Sequence, residues 1–356
     1  MKAFITASGI ISPQHTHDTT EFPGRVESFL ANRLTCIEPD YRNLINPVLL
    51  RRMPRILKMG LASSQLCINR AGNIQPDAIV VGTGLGCLNS LEQFLTEMLN
   101  NKEHITSVLP FIYSTHNAVA SQIAMMLKNH NYNVTYCHRG FSFESALQDA
   151  MMQLEEQQAE NVLVGGIDEC TPDFMQLYGY LDYWKLPSDT LGLLKNTTPG
   201  TIAGEGSAFF MLSGRSENIT DAVIRGVTTF FTPADIPEVR IETEIESFLQ
   251  DNGIKKEDLD LVLLGMNGDF PFDEIYRRLM DSFFAAETGF AVYKTLCGEY
   301  YTSSAFALWL ASVIISRQMV PDSVSLCPVS RNRIKNILLY NHLRNVEHSL
   351  MLVCQG

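Results

Sequence analysis

Strand-like and helix-like runs alternate along almost the whole chain, and this narrows the fold more than any other feature. β-Branched runs ending in small residues read as strands at Ala3–Thr6, Ala78–Val81, Asn133–Tyr136, Asn161–Val164 and Ala208–Leu212. The second half offers Ala222–Val227, Leu259–Leu264, Ser323–Leu326, Ile337–Leu339 and Ser349–Val353. Between them, apolar residues recur three and four apart over Leu88–Leu99, Ala118–Leu127, Phe143–Leu154, Glu242–Leu249, Phe272–Phe284 and Ser303–Ile315, which is the helical period. Such alternation predicts an α/β layered fold with parallel strand pairing. The two halves share one outline: strand, glycine-bearing turn, helix, strand. The seam is expected near Gly214–Thr220, dividing the chain into 1–215 and 216–356.

Composition supports a folded protein, since 46% of the 356 residues are hydrophobic. A net charge of -12 argues against a general nucleic-acid binder. The eight cysteines form no CxxC pair, so zinc-type spacing is absent, and no metal or cofactor is expected. Their scatter through apolar segments fits buried thiols in a reducing cytoplasm. The opening MKAFITASGII is too short in its apolar part for a signal peptide. The longest apolar stretch, Ala305–Ile315, falls well short of the ~20 residues that a membrane span needs.

Three stretches invite a functional reading. Gly82, Gly84 and Gly86 follow the strand DAIVV, but their spacing departs from a dinucleotide fingerprint, and a tight strand-to-helix turn accounts for them. Arg51, Arg52, Arg55 and Lys58 form a basic cluster on an acidic chain, with Pro54 expected in a helix's first turn. The cluster is either a docking face for an acidic partner or a solvated helix face. Cys137 ends the strand Asn133–Tyr136, just ahead of a helix. Free N–H groups at a helix start favour the thiolate and suit an oxyanion.

The order of these pieces resembles the β-ketoacyl synthases of the thiolase superfamily, nearly end to end. ITASGIISPQ is similar to their first strand and turn, and Pro110–Ala124 to the segment before the nucleophile. Thr135, Cys137 and Gly140 match the family's Thr-Ala-Cys-Ser-Ser-Gly motif. NVLVGGIDE and GEGSAFFML match the strands that follow, and Lys294 and Gly298 stand in the Thr-Lys-Ser-x-x-Gly-His segment. The resemblance implies a thiolase-like α/β fold, two similar halves stacked in five αβαβα layers, normally as a dimer. It also implies a cysteine that carries an acyl chain as a thioester and condenses it with a decarboxylated malonyl unit.

The departures bear on activity. Asn267 stands where the family places one catalytic histidine, and Glu299 where it places the other. The family's further glutamate corresponds to Leu308, and its gating Gly-Phe-Gly-Gly loop reads Asn341-His342-Leu343-Arg344. The chain is shorter than the family, mainly between residues 15 and 75. Lys294 precedes Glu299 by five residues and is expected to pair with it. Asn267 can still donate one hydrogen bond, but an ionised Glu299 opposes the enolate that decarboxylation builds.

These residues suggest a partner subunit, akin to a chain length factor or to the short subunits of aryl-polyene pathways. Its partners would be an acyl carrier protein, docked on the basic cluster, and either a second copy or an active ketoacyl synthase. Retention of Cys137 leaves two alternatives: acyl transfer or thioester hydrolysis with His138 or another histidine as base, and condensation with unconventional site residues.

Overall fold

The computed structural model describes residues 2–104, 107–215, 222–232 and 239–356. Its strands are β1 (Ala3–Ile11), β2 (Leu30–Ala31), β3 (Ala78–Gly82), β4 (Tyr132–Tyr136), β5 (Asn161–Asp168), β6 (Ser188–Asp189), β7 (Gly206–Ser213), β8 (Ala222–Phe231), β9 (Leu261–Leu264), β10 (Gly289–Val292), β11 (Ser325–Cys327), β12 (Asn336–Leu343) and β13 (Glu347–Gln355). The helices are α1 (Pro47–Leu50), α2 (Arg55–Arg70), α3 (Leu88–Asn100), α4 (Val108–Tyr113), α5 (Ala118–Leu127), α6 (Ser142–Glu155), α7 (Pro172–Gly179), α8 (Val239–Asp251), α9 (Phe270–Ser282), α10 (Lys294–Cys297) and α11 (Ser304–Arg317).

Eleven strands form one ladder in the order β11-β10-β9-β12-β13-β8-β1-β7-β5-β3-β4. Among the described residues, its two leaves pair where Ala3–Ile5 of β1 meets Ala222–Ile224 of β8. Pairing is parallel within β4-β3-β5 and β10-β9-β12, as the alternation predicts. It is antiparallel through β5-β7-β1 and β12-β13-β8, and of these pairs only β12 and β13 follow one another directly, as a hairpin.

Period-2 alternation divides each leaf's apolar residues between two buried faces. Val80, Val162, Val164 and Phe210 point to the middle of the molecule, as do Leu261, Leu263, Ile337 and Met351 from the other leaf. Ile79, Val81, Leu163 and Phe209 point outward onto α2 and α5, and Val262, Leu264, Leu338 and Leu352 onto α8 and α9. Helices α6 and α11 fill the middle layer, touching strands of both leaves and each other. The result is the αβαβα arrangement, with β4 left at the free edge of the first leaf. The expected seam falls partly on 216–220, which lie outside the described residues.

Candidate functional site

The segment Tyr293–Tyr301 is held against the first leaf by two glycines. A Cβ on Gly204 would lie 2.0 Å from the carbonyl of Cys297, and one on Gly206 would lie 2.4 Å from the Tyr300 hydroxyl. Backbone bonds then stitch Glu299 to the segment leading into β7: its N–H donates to Ile202 and its carbonyl accepts from Gly204. This places Glu299 beside Lys294 of α10. The ammonium donates to both carboxylate oxygens, at 3.0 and 2.8 Å, with the side chains 1% and 5% exposed. Asn267, in the turn after β9, donates its side-chain amide to Glu299 Oε2. Its amide oxygen accepts from the N–H of Asp269 at 3.0 Å, which fixes its orientation. Asn267, Lys294 and Glu299 are thus one cluster, and Lys294–Glu299 is the expected ion pair. Leu308 is buried in α11.

Glu299 forms part of the wall of a narrow cleft with an interior volume of about 20 Å³. Half of the residues in that wall are aromatic: Phe174, Tyr178, Tyr183, Trp184, Tyr300 and Tyr301. The rings pack on one another, Phe174 on Tyr178 at 4.3 Å and Tyr183 on Trp184 at 4.8 Å between centroids. The Tyr178 and Tyr301 hydroxyls are 3.0 Å apart. So filled, the interior has room for little more than one water.

Cys137 requires a correction. It does not stand at a helix N-terminus, because a 3-10 turn, Arg139–Phe141, separates it from α6, which starts at Ser142. The amides expected to serve an oxyanion are occupied. That of His138 donates to the Ser142 hydroxyl at 2.8 Å, and that of Gly140 to Glu347 at 3.0 Å. Glu347 also pairs with Arg139. The thiol is exposed and contacts the Gly84 carbonyl at 3.5 Å. Partial burial and then the Asp168 carboxylate push it above the ordinary thiol value, not below it. It does not line the aromatic cleft: Gly84 lies between them, packed on the Tyr301 side chain. The His138 ring stands edge-on to Phe141, and no described imidazole bonds to the thiol.

The glycine run is a turn, as expected, with a purpose the sequence did not reveal. Asp168, at the end of β5, accepts from the Thr83 hydroxyl and the amides of Gly84 and Leu85, while its other oxygen accepts from the hydroxyl and amide of Thr302. One buried carboxylate therefore ties the turn beside Cys137 to the segment after Glu299. A polar residue ending an otherwise apolar strand was the available signal.

The basic cluster is divided. Arg55 turns inward: its guanidinium donates to both oxygens of the fully buried Glu205 and pairs with Glu38. It is a structural anchor, not part of a docking face. Arg51 and Arg52 are exposed in the turn between α1 and α2, and Lys58 is half-buried on α2. Pro54 caps α2 and does not sit inside it. The stretch corresponding to the gating loop is also different: β12 continues through Leu343 and turns tightly into β13.

Residues 33–188 match the family model of the β-ketoacyl synthase N-terminal domain. No curated protein matches the sequence. Among solved structures, the ishigamide ketosynthase/chain length factor aligns over 100% of this chain and 99% of its own, with TM-score 0.79 and 15% identity. The ketosynthase ApeO in complex with its chain length factor ApeC, from Xenorhabdus doucetiae, aligns over 99% and 98%, with TM-score 0.76 and 15% identity. A type II polyketide acyl-carrier protein complex with its hexaketide-bound ketosynthase, AntDE:AntF, aligns over 100% and 99%, with TM-score 0.73 and 13% identity. The chain is β-ketoacyl-synthase-like in sequence over 33–188 and has the thiolase-like ketosynthase fold throughout.

Proposed function

We propose that this chain is a non-condensing partner subunit of an active β-ketoacyl synthase, comparable to a chain length factor, in fatty-acid or polyketide-type biosynthesis. The Lys294–Glu299–Asn267 cluster carries the reading. Decarboxylation needs hydrogen-bond donors aimed at a developing enolate, and removing one such donor typically costs about 10²–10³ in rate. Here the Lys294 ammonium and the Asn267 amide both donate to Glu299, and the Gly140 amide donates to Glu347. The aromatic filling of the cleft points the same way.

A partner face lies close to Cys137. β4 ends the ladder with an unpaired edge, a ready template for another chain. On α5, which packs against β4, Met125 is exposed, and α4 exposes Val108, Leu109, Phe111 and Ile112. Exposed apolar residues clustered on one short helix mark an interaction site. Two of the similar structures named above pair a ketosynthase with a chain length factor, and a third holds a carrier protein, which Arg51 and Arg52 would meet here. The test is co-purification with an active β-ketoacyl synthase from the same source. Phe111→Glu with Ile112→Glu should abolish pairing and leave the circular dichroism spectrum unchanged. Undiminished pairing of a folded variant would refute this face.

A further inference from the structure

The turn between β12 and β13 closes one side of the aromatic cleft. Leu343 lines the cleft, and Arg344 sets its guanidinium over the rings of Tyr183 and Phe272, at 5.1 and 4.9 Å. Arg344 and Asn345 both adopt left-handed backbone conformations, with φ of 50° and 55°, and the Val346 N–H closes the turn on the Leu343 carbonyl at 3.1 Å; ties from outside add to this. His342 and His348, directly opposite one another across the hairpin, supply them. The Asn345 N–H donates to His342 Nδ1 at 3.3 Å. The Asn345 carbonyl accepts from the Thr232 hydroxyl at 2.8 Å. That hydroxyl, its proton committed, accepts from His348 Nε2 at 2.8 Å, and His348 Nδ1 accepts from the Tyr340 hydroxyl at 3.0 Å. Each imidazole therefore accepts at Nδ1 and keeps its proton on Nε2. A second proton would have to enter at Nδ1, where a donor already points.

The surroundings compensate little: the backbone of Phe272 favours positive charge on His342 and that of Asn345 on His348, but burial outweighs both. Tyr276 of α9 stacks on His342 at 4.4 Å, and Phe230 of β8 on His348 at 4.9 Å. His342 Nε2 is buried without a partner, and Lys294 of α10 opposes positive charge there. The carboxylates on these elements are committed elsewhere. Asp273 accepts from the amides of Asn267 and Gly268, Glu299 pairs with Lys294, and Glu347 holds Gly140 and Arg139. Arg225, also on β8, lines a separate cleft beside α8. No carboxylate among the described residues pairs with either ring. Burial first, then His348 and Lys294, hold His342 well below 6.5, and burial holds His348 at about 4.

We infer that the β12–β13 turn is a latch on the aromatic cleft, held shut by two uncharged histidines and released by mild acid. Both rings resist protonation while the turn is closed and accept it once the turn opens. The hold is complete above about pH 6.5 and weakens as the pH falls toward the closed-state values. Opening withdraws Leu343 and Arg344 from the cleft together. This inference does not depend on the partner-subunit reading.

Hydrogen exchange on the intact protein tests it. Protection of residues 343–348, corrected for intrinsic exchange, should fall about tenfold per titrating ring between pH 7.5 and 5.5, while β3 and β5 keep theirs. His348→Phe should remove about one tenfold step, and His342→Phe with His348→Phe the whole dependence. An unchanged turn at pH 5.5, or an undiminished drop in the double variant, would overturn the latch. Should the variants fail to fold, imidazole ¹⁵N spectra of the wild type decide. Ring protonation that tracks turn opening supports the latch; opening while both rings remain neutral refutes it.

Discussion

Asn267 and Glu299, which the sequence resemblance sets where ketoacyl synthases carry two catalytic histidines, are hydrogen-bonded to each other, amide to carboxylate. Lys294 donates to the same Glu299 oxygen at 2.8 Å. The three side chains therefore satisfy one another and leave little to offer a substrate, and stability is the first property to test. Glu299→Gln leaves a buried ammonium uncompensated and should destabilise the protein by about 3–5 kcal/mol in urea denaturation. Lys294→Met combined with Glu299→Leu should cost clearly less, because no buried charge remains. Equal losses in the two variants would contradict a self-contained pair.

Arg55 and Arg52 should separate cleanly. Arg55→Ala removes both guanidinium bonds to the buried Glu205 carboxylate, leaving it the Cys36 and Cys170 amides and Arg33 at 3.9 Å, and should cost about 1.5–3 kcal/mol. Arg52→Glu should leave stability within about 0.5 kcal/mol. It should weaken binding of an acidic acyl carrier protein several-fold at low salt, with less effect at high salt. Binding that ignores both salt and Arg52→Glu would remove the docking role.

Glu144 supplies a pH signature. It is fully buried on α6, one oxygen accepts from Ser349, and the other has no partner. Burial raises it to about 7 from an ordinary 4.5. The fold thus prefers the protonated form: this stability is complete below about pH 4.5 and is lost as the pH rises through 7. Glu144→Gln should therefore stabilise the protein by about 1–3 kcal/mol at pH 8 and change little at pH 4.5, read as Tm at the two pH values. The opposite pH trend would contradict this assignment.

Cys137 and Cys327 are the exposed thiols. Brief iodoacetamide treatment of the native protein should label these two first, by access alone. The Cys137 rate should keep rising with pH past 8.5, because its environment disfavours the thiolate. A rate that levels off near neutral pH would reveal an activated nucleophile and revive acyl transfer.

Much of the fold was legible because strands buried on both faces read as unbroken apolar runs and amphipathic helices keep their period. Helix α5 matches its expected bounds. Helix α2 was expected around Pro54 and the basic cluster, but not its run to Arg70, because small residues, Gly60, Ala62, Ser63 and Ser64, blur the apolar stripe. Strand β10 has only four residues, ending just before Tyr293, and was missed. The Lys294–Glu299 pair was readable from spacing. Its tie to Asn267, and the inward turn of Arg55, depend on contacts 32 and 150 residues apart, which local pattern cannot supply.

The most direct test of the partner-subunit account measures CO₂ release and chain elongation by the purified chain alone, given acyl-primed and malonyl-loaded carrier protein. The account predicts neither above background for the wild type. It predicts partial recovery of CO₂ release when Asn267→His and Glu299→His supply imidazole donors, provided the variant folds without the ion pair. Robust condensation by the wild-type chain, with no second synthase present, would contradict it.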